Sequence, residues 1–241
     1  MRPAVAFDRS AHLYDAIYGD YDYAGASSQV HRLIRQHCPN AGSLLDVACG
    51  TGQHLAHLQA HYRVEGLDLN ADRLHIARRR NPTISFHCGD MLGFDLGQQF
   101  DAVLCLDSSI GYARTVDNLH QAIEAMTRHL KPGGVLLIVP WFTGDIWRVG
   151  AVTARFVDQP NLKIARISVS EVEGHISVME MHYLVGTPSG IEQFVERHEM
   201  GLFTREQYLN AYRDAGLQAT HDPTGLGQRG LYVGVLPRQL N

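Results

Sequence analysis

A chain of 241 residues with 45% hydrophobic and 19% charged residues can bury a sizeable core, which excludes a disordered protein. Its 21 basic and 25 acidic residues give a formal net charge of -4, which offers none of the positive field that a general nucleic-acid or membrane-surface binder needs. No apolar run reaches the ~20 residues that span a bilayer, and residues 1–9 carry charge where a secretion leader needs an apolar stretch, so a soluble, cytoplasmic chain without nucleic-acid or membrane partners is expected.

In chain order, residues 10–37 carry helical periodicity interrupted around Gly19–Gly25, a Tyr-rich stretch. An α/β alternation starts at Ser43. Ser43–Val47 is a short apolar strand ending at a glycine turn, followed by a helix to about Ala60. Arg63–Asp68 is the next strand, and Asn70 caps a helix that ends at Arg80, before Asn-Pro. Thr83–Cys88 and Phe100–Leu106 read as strands, 116–130 as a helix, and Lys131-Pro132-Gly133-Gly134 as a turn launching Val135–Val139. Strands alternating with helices of this length predict βαβ units and a mostly parallel sheet. Between about 152 and 200 the alternation has period two with no helix, which predicts an antiparallel meander. Thr204 caps a helix closed by Gly216, and Gly230–Leu236 is the last strand. The cysteines Cys38, Cys49, Cys88 and Cys105 lack zinc or redox spacing, and Cys88 and Cys105 read as small core residues.

The most informative run is Asp46-Val47-Ala48-Cys49-Gly50-Thr51-Gly52 at the first strand-to-helix turn, where an open α/β sheet presents its crevice. A dinucleotide site needs a third glycine, and Leu55 occupies that position, where it would hold helix and strand apart. Asp46 would also repel a pyrophosphate. Both features disfavour a nicotinamide oxidoreductase and point to a ligand with positive charge near the loop. S-adenosylmethionine fits: Asp68, at the end of the second strand, can accept from ribose hydroxyls. Asp90, after the third, can accept from the adenine amine with Met91 against the ring, and Leu106-Asp107-Ser108-Ser109 follows the fourth beside the sulfonium.

Leu13-Tyr14-Asp15, Leu44 to Gly52, Gly89-Asp90-Met91, Ser108-Ser109-Ile110-Gly111-Tyr112, Lys131 to Gly134, Pro140-Trp141 and Arg229 to Val235 together make the chain resemble the class I S-adenosylmethionine-dependent methyltransferases. Within them it is similar to the enzymes that dimethylate amino sugars on thymidine-diphosphate carriers. The resemblance implies a Rossmann-like α/β fold: a seven-stranded, mostly parallel sheet with an antiparallel β insert. It divides the chain into an N-terminal helical cap (1–42), a cofactor-binding core (43–140), the insert as lid or dimer interface (141–200) and a return to the core sheet (201–241).

The same resemblance implies that Tyr14 and Tyr23 reach the carboxylate end of the cofactor. Asp46, Ala48, Cys49, Gly50, Gly52, Asp68, Leu69, Asp90, Met91 and Leu106 would line the rest of its site. Tyr18, Ser109, Tyr112, Trp141 and Arg229 form the acceptor-side set, with Tyr14, Tyr18 and Tyr112 as candidates to take or relay a proton. In the sugar enzymes a basic Gly-x-Gly-Lys stretch separates the N-terminal tyrosines and an acid often precedes Pro-Trp. Gly19-Asp20-Tyr21 and Val139 stand there in this chain, which favours a smaller or uncharged acceptor.

The expected reaction is N-methylation of an amine in natural-product biosynthesis, by positioning rather than covalent catalysis. The alternatives are methylation of a nitrogen heterocycle or hydroxyl, and a cofactor-binding regulator without catalysis. A homodimer through the insert is expected. No metal is: His54, His57 and His61 share a helical face, but no acid or cysteine on a neighbouring turn completes a ligand set. Arg78-Arg79-Arg80 reads as a solvated helix end.

Overall fold

The computed structural model describes residues 9–226 and 229–238. Residues 1–8, which carried most of the leader reading, lie outside that range. Five strands form the parallel part of the main sheet: β1 (Ser43–Val47), β2 (Arg63–Asp68), β3 (Ser85–Cys88), β4 (Phe100–Cys105) and β5 (Leu130–Ile138). With β10 (Gln218–Asp222) and β11 (Leu231–Val235) they form a seven-stranded sheet in the order β10-β11-β5-β4-β1-β2-β3. β11 runs antiparallel to both β5 and β10. α1 (Tyr14–Ile17), α2 (Tyr23–His37), α3 (Gln53–Leu58), α4 (Ala71–Arg80), α5 (Val116–Arg128) and α6 (Arg205–Asp214) accompany it. Buried side chains from both faces of β1 and β4 enter two separate clusters: Leu45 and Val103 with α5 and α6, Leu44 and Leu104 with α2, α3 and α4. Strands buried on both faces are the reason these segments are continuous apolar runs. Among the described residues no helix is long and apolar enough to cross a membrane.

Local signals place the helices. Asn70 accepts from the Arg73 amide at 2.9 Å, and Thr204 and Gln207 form a reciprocal capping box on α6. The strand order reverses between β1 and β4. Their carboxyl ends therefore flank the crevice where open α/β sheets take ligands.

β6 (Val152–Gln159), β7 (Leu162–Glu173), β8 (Ile176–Thr187) and β9 (Gly190–Gly201) form a separate antiparallel sheet between β5 and α6. Register gives it two chemically distinct faces. Arg166, Tyr183 and Phe194 pair across one face, and Ile167, His182 and Val195 across the other. The first face, with Ile164, Met179, Met181 and Met200, packs on Leu13 and Ile17 and against Tyr18, Tyr112 and Trp141. The second leaves Val152, Phe156, Ile167, Val169, Leu184, Ile191 and Val195 exposed.

Four expectations are corrected. β10 was not foreseen: its sequence Gln-Ala-Thr-His-Asp is polar and exposed at alternate positions, as suits an edge strand. β5 starts at Leu130, so Lys131 to Gly134 lies inside the strand, where the β4 register shifts and a bulge accommodates Pro132. Cys88 is exposed, not a core residue. Leu55 does not hold helix and strand apart. The missing glycine is on β2, where a Cβ at Gly66 would lie 2.7 Å from Cys49 Sγ and 2.9 Å from Leu55 Cδ1.

Candidate active site

The turn after β1 is a run of left-handed backbone: Ala48, Gly50 and Gly52 have φ of 60°, 56° and 73°. Gly52 has no room for a side chain, since a Cβ would meet Asn81 Nδ2 at 2.9 Å, and that amide donates to the Gly52 carbonyl. Cys49 N donates to Leu67 O at 3.0 Å and Gly50 N to Asp68 Oδ2 at 2.8 Å, while Asp68 Oδ1 takes the Asn70 amide. Asp68 therefore ties the glycine turn to the cap of α4. Each of its oxygens keeps a second acceptor site for a hydroxyl at the strand end.

A second tie was not foreseen. Asp15 accepts from Thr51 Oγ1 at 2.7 Å and Gln53 Nε2 at 3.2 Å, and Arg80 donates to its other oxygen and to the Thr51 carbonyl. Arg80 is thus a clamp on the loop rather than a solvated helix end. It carries the segment of Tyr14 onto the crevice, where Arg73 lies 4.2 Å over the Tyr14 ring and Tyr18 packs at 4.6 Å.

Asp46, at the end of β1, is buried and its pKa is pushed up to about 7. Burial is the main cause, with Asp107 and Asp68 adding to it and His54 opposing it. His54 bonds Ser27 Oγ through Nδ1 at 3.1 Å and faces Asp107 through Nε2 at 3.3 Å. Burial lowers the His54 pKa, but Asp107 and Asp46 outweigh it and the net direction is upward. Both ring nitrogens of His54 have protein partners, His61 stacks on His31, and among the described residues no group of three or more acids, histidines and cysteines is placed to hold a metal. Tyr23 packs on the His54 ring at 5.1 Å, and burial followed by Asp107 raises the Tyr23 hydroxyl.

At the far end, Leu69 is half exposed beside Asp68 and Leu106 is buried after β4. Asp90 is exposed after β3, with Oδ1 on the Leu92 amide at 3.0 Å, and Met91 packs against the core. Asp90 borders a cleft of about 500 Å³ with Leu92, Leu96 and Gln121.

The acceptor-side set gathers where the turn Ser109–Ala113 meets the second sheet. Ser108 Oγ donates to Pro140 O at 2.6 Å and accepts from Arg229 at 2.7 Å. The Arg229 guanidinium also lies 5.1 Å from the Trp141 ring centre and 4.9 Å from that of Phe142. Trp141 Nε1 donates to Ser177 Oγ on β8 at 2.8 Å. Tyr18 Oη accepts from Arg166 at 3.0 Å, and Arg155, which pairs with Asp20, lies 5.7 Å from the Tyr18 ring centre. The second sheet thus brings two guanidinium groups to Tyr18. Tyr112 Oη lies 2.8 Å from Nδ1 of His198, a fully buried side chain on β9. The alternation of β9 put His198 on its apolar face, a signal the sequence reading passed over.

Known proteins share this architecture. A methyltransferase-domain family matches residues 44–134. Over 229 residues the chain is 44% identical to the dTDP-3-amino-3,6-dideoxy-alpha-D-glucopyranose N,N-dimethyltransferase of Streptomyces fradiae, covering 93% of this chain and 90% of that one. The sugar N-methyltransferase KedS8 from a Streptoalloteichus species superposes with a TM-score of 0.90 at 37% identity, covering 99% of this chain and 96% of the other. S-adenosylmethionine-bound CalS10, an amino pentose methyltransferase from Micromonospora echinaspora, gives a TM-score of 0.84 at 35% identity over 98% of this chain and 100% of that one.

The chain belongs to the class I S-adenosylmethionine-dependent methyltransferases. Within that class its relatives are amino-sugar N-methyltransferases of natural-product biosynthesis, and S-adenosylmethionine is its cofactor. The residues fit that group: a buried carboxylate faces the loop, bare glycine backbone allows close approach, and acids stand at successive strand ends. The same buried Asp46 opposes a pyrophosphate, so the nicotinamide alternative is set aside.

Proposed function

We propose that this enzyme methylates the amino nitrogen of a nucleotide-linked amino sugar. The observation that carries the reading is Arg229, fixed by Ser108 over Trp141 and Phe142, with Tyr18 and Tyr21 inside its electrostatic reach. A guanidinium held over aromatic rings, with Arg166 and Arg155 around Tyr18, suits a diphosphate joined to a flat base. The curated relatives named above act on dTDP-linked amino sugars, which is the same combination.

Bound S-adenosylmethionine supplies a methyl carbon activated by its sulfonium. Asp46, Asp68, Asp90, Met91 and Leu106 hold the donor, with Ala48, Cys49, Gly50, Gly52 and Leu69 shaping its backbone cradle. Tyr14 and Tyr23 close over its amino-acid end, tied down through Asp15. Tyr18, Ser109, Tyr112 and Trp141 orient the acceptor so that its nitrogen lone pair lies in line with the methyl group. Alignment and exclusion of water are the main contributions of such a site.

We also propose that two copies pair through the exposed apolar face of the second sheet, since an exposed apolar patch marks an interaction surface.

Transfer of a tritiated methyl group tests the acceptor. A dTDP-linked 3-amino-3,6-dideoxyglucose is expected to gain two methyl groups, and the same sugar without its nucleotide to react far more slowly. Preferential methylation of a nitrogen heterocycle or a sugar hydroxyl overturns the reading.

A further inference from the structure

Four groups stand in a row from the acceptor side of the crevice into the second sheet. Tyr112 Oη is 2.8 Å from His198 Nδ1, and His198 Nε2 is 3.7 Å from Glu196 Oε2. Ser10 Oγ donates to Glu196 Oε2 at 2.6 Å, and the Arg9 and Ser10 amides donate to Oε1 at 3.0 and 2.9 Å. Glu196 and His198 are both buried, on a sheet face that is otherwise mainly apolar. A buried His–Glu pair on such a face costs desolvation, and the hydrophobic packing around it does not require one.

We infer that His198 and Glu196 are positioning residues that make Tyr112 a proton conduit for the acceptor amine. This rests on the N-methylation reading above. An ammonium has no free lone pair, so the acceptor must shed a proton before it attacks. At 3.7 Å, too far for a hydrogen bond, the charge of Glu196 favours the imidazole proton on Nε2, which leaves Nδ1 to accept from the Tyr112 hydroxyl. As the acceptor N–H bond breaks, its proton passes to the Tyr112 oxygen and the Tyr112 proton passes to His198 Nδ1. The ammonium becomes a neutral amine, neutral imidazole becomes imidazolium beside Glu196, and no charge is left on Tyr112.

The surroundings support this division of labour. Burial raises the Tyr112 hydroxyl far above its ordinary range, so it passes a proton on without ionising. Burial also raises Glu196, but the nearby His198 imidazole and the hydrogen bonds from Ser10 and Arg9 outweigh it and bring it down to about 2, so it stays charged. Among the described residues, Arg73, Tyr18 and Tyr183 also face Tyr112, with Arg166 bonded to Tyr18. Glu196 has a second consequence: by holding Ser10 it fixes the start of the segment that carries Tyr14.

The test uses His198→Gln, which can still accept from Tyr112 but cannot take up a proton, together with Tyr112→Phe and the double variant. With dTDP-linked 3-amino-3,6-dideoxyglucose as acceptor, His198→Gln is expected to lower kcat roughly 10- to 100-fold. Donor Kd by calorimetry should stay within about twofold, and the double variant should be no slower than the worse single one. Losses that multiply in the double variant, or a donor Kd that rises as much as kcat falls, overturn the relay. Independently of activity and of the acceptor, nitrogen NMR of the wild-type enzyme should show His198 as the Nε2–H tautomer. An Nδ1–H tautomer, which would donate to Tyr112, overturns the inference even if His198→Gln fails to fold.

Discussion

Asp68 accepts a hydrogen bond from the Gly50 amide at 2.8 Å, although the two residues end different segments of the chain. One carboxylate thereby shapes the glycine turn and, in the proposed donor site, keeps acceptor positions for the ribose. Asp68→Ala removes both, and charge-assisted hydrogen bonds of this kind contribute about 1.5–3 kcal/mol each. Donor Kd by calorimetry is expected to rise roughly 10- to 100-fold, with kcat at saturating donor changed much less. An unchanged Kd removes Asp68 from the donor site.

The titration of Asp46 gives donor binding a pH dependence of known sign. Its pKa, raised to about 7 mainly by burial, leaves it largely protonated at pH 6 and largely ionised at pH 8. A cationic donor favours the ionised form, so affinity should weaken as pH falls below about 7, by up to tenfold per unit. The same raised pKa means that the carboxyl favours the folded state most below its unfolded value near 4 and loses that contribution as pH rises through 7. Calorimetry at pH 7 in buffers of different ionisation enthalpy should detect proton release on donor binding, and Asp46→Asn should abolish it. Affinity that is flat between pH 6 and 8 in the wild type contradicts this account.

How much was legible follows from how local each signal is. The parallel core could be read because β1 and β4 are short, mainly apolar runs, Asn70 caps the helix after β2, and the acids at the strand ends belong to short motifs. β10 lacked that signature because an edge strand with alternating exposure need not be apolar. The Asp15 clamp was invisible, since its partners lie 36, 38 and 65 residues away in sequence. Arg166 and Arg155 were missed for the same reason: only the fold of the second sheet brings them to Tyr18. Leu55 misled because the close approach a glycine permits can be supplied by either partner, and β2 supplies it at Gly66.

In the proposed acceptor site, a change at Arg229 should separate binding of the acceptor's anionic part from binding of the donor. Arg229→Gln keeps a polar side chain near Ser108 but removes the charge and the planar fork over Trp141. The KM for a dTDP-linked acceptor should rise roughly tenfold or more, matching loss of one charge-assisted contact. Donor Kd should stay unchanged, as should the slow rate with the nucleotide-free sugar. An equal loss for both acceptors would place Arg229 away from the diphosphate.

Phe156 is 73% exposed, and it shares one face of the second sheet with Ile167, Val195 and Ile191. A side chain of that size left in water in the monomer forgoes about 1.5–3 kcal/mol of burial, and in a two-fold interface each copy contributes the same residues. Phe156→Glu places two carboxylates at that interface, where their repulsion adds to the lost apolar contact. The opposite face of the sheet, with Tyr183, Phe194 and His198, points the other way and should be undisturbed. Sedimentation at micromolar concentration is therefore expected to give a dimer for the wild type and a monomer for Phe156→Glu, with donor Kd preserved. A wild type that sediments as a monomer, or a variant that still dimerises, rules out pairing through this face.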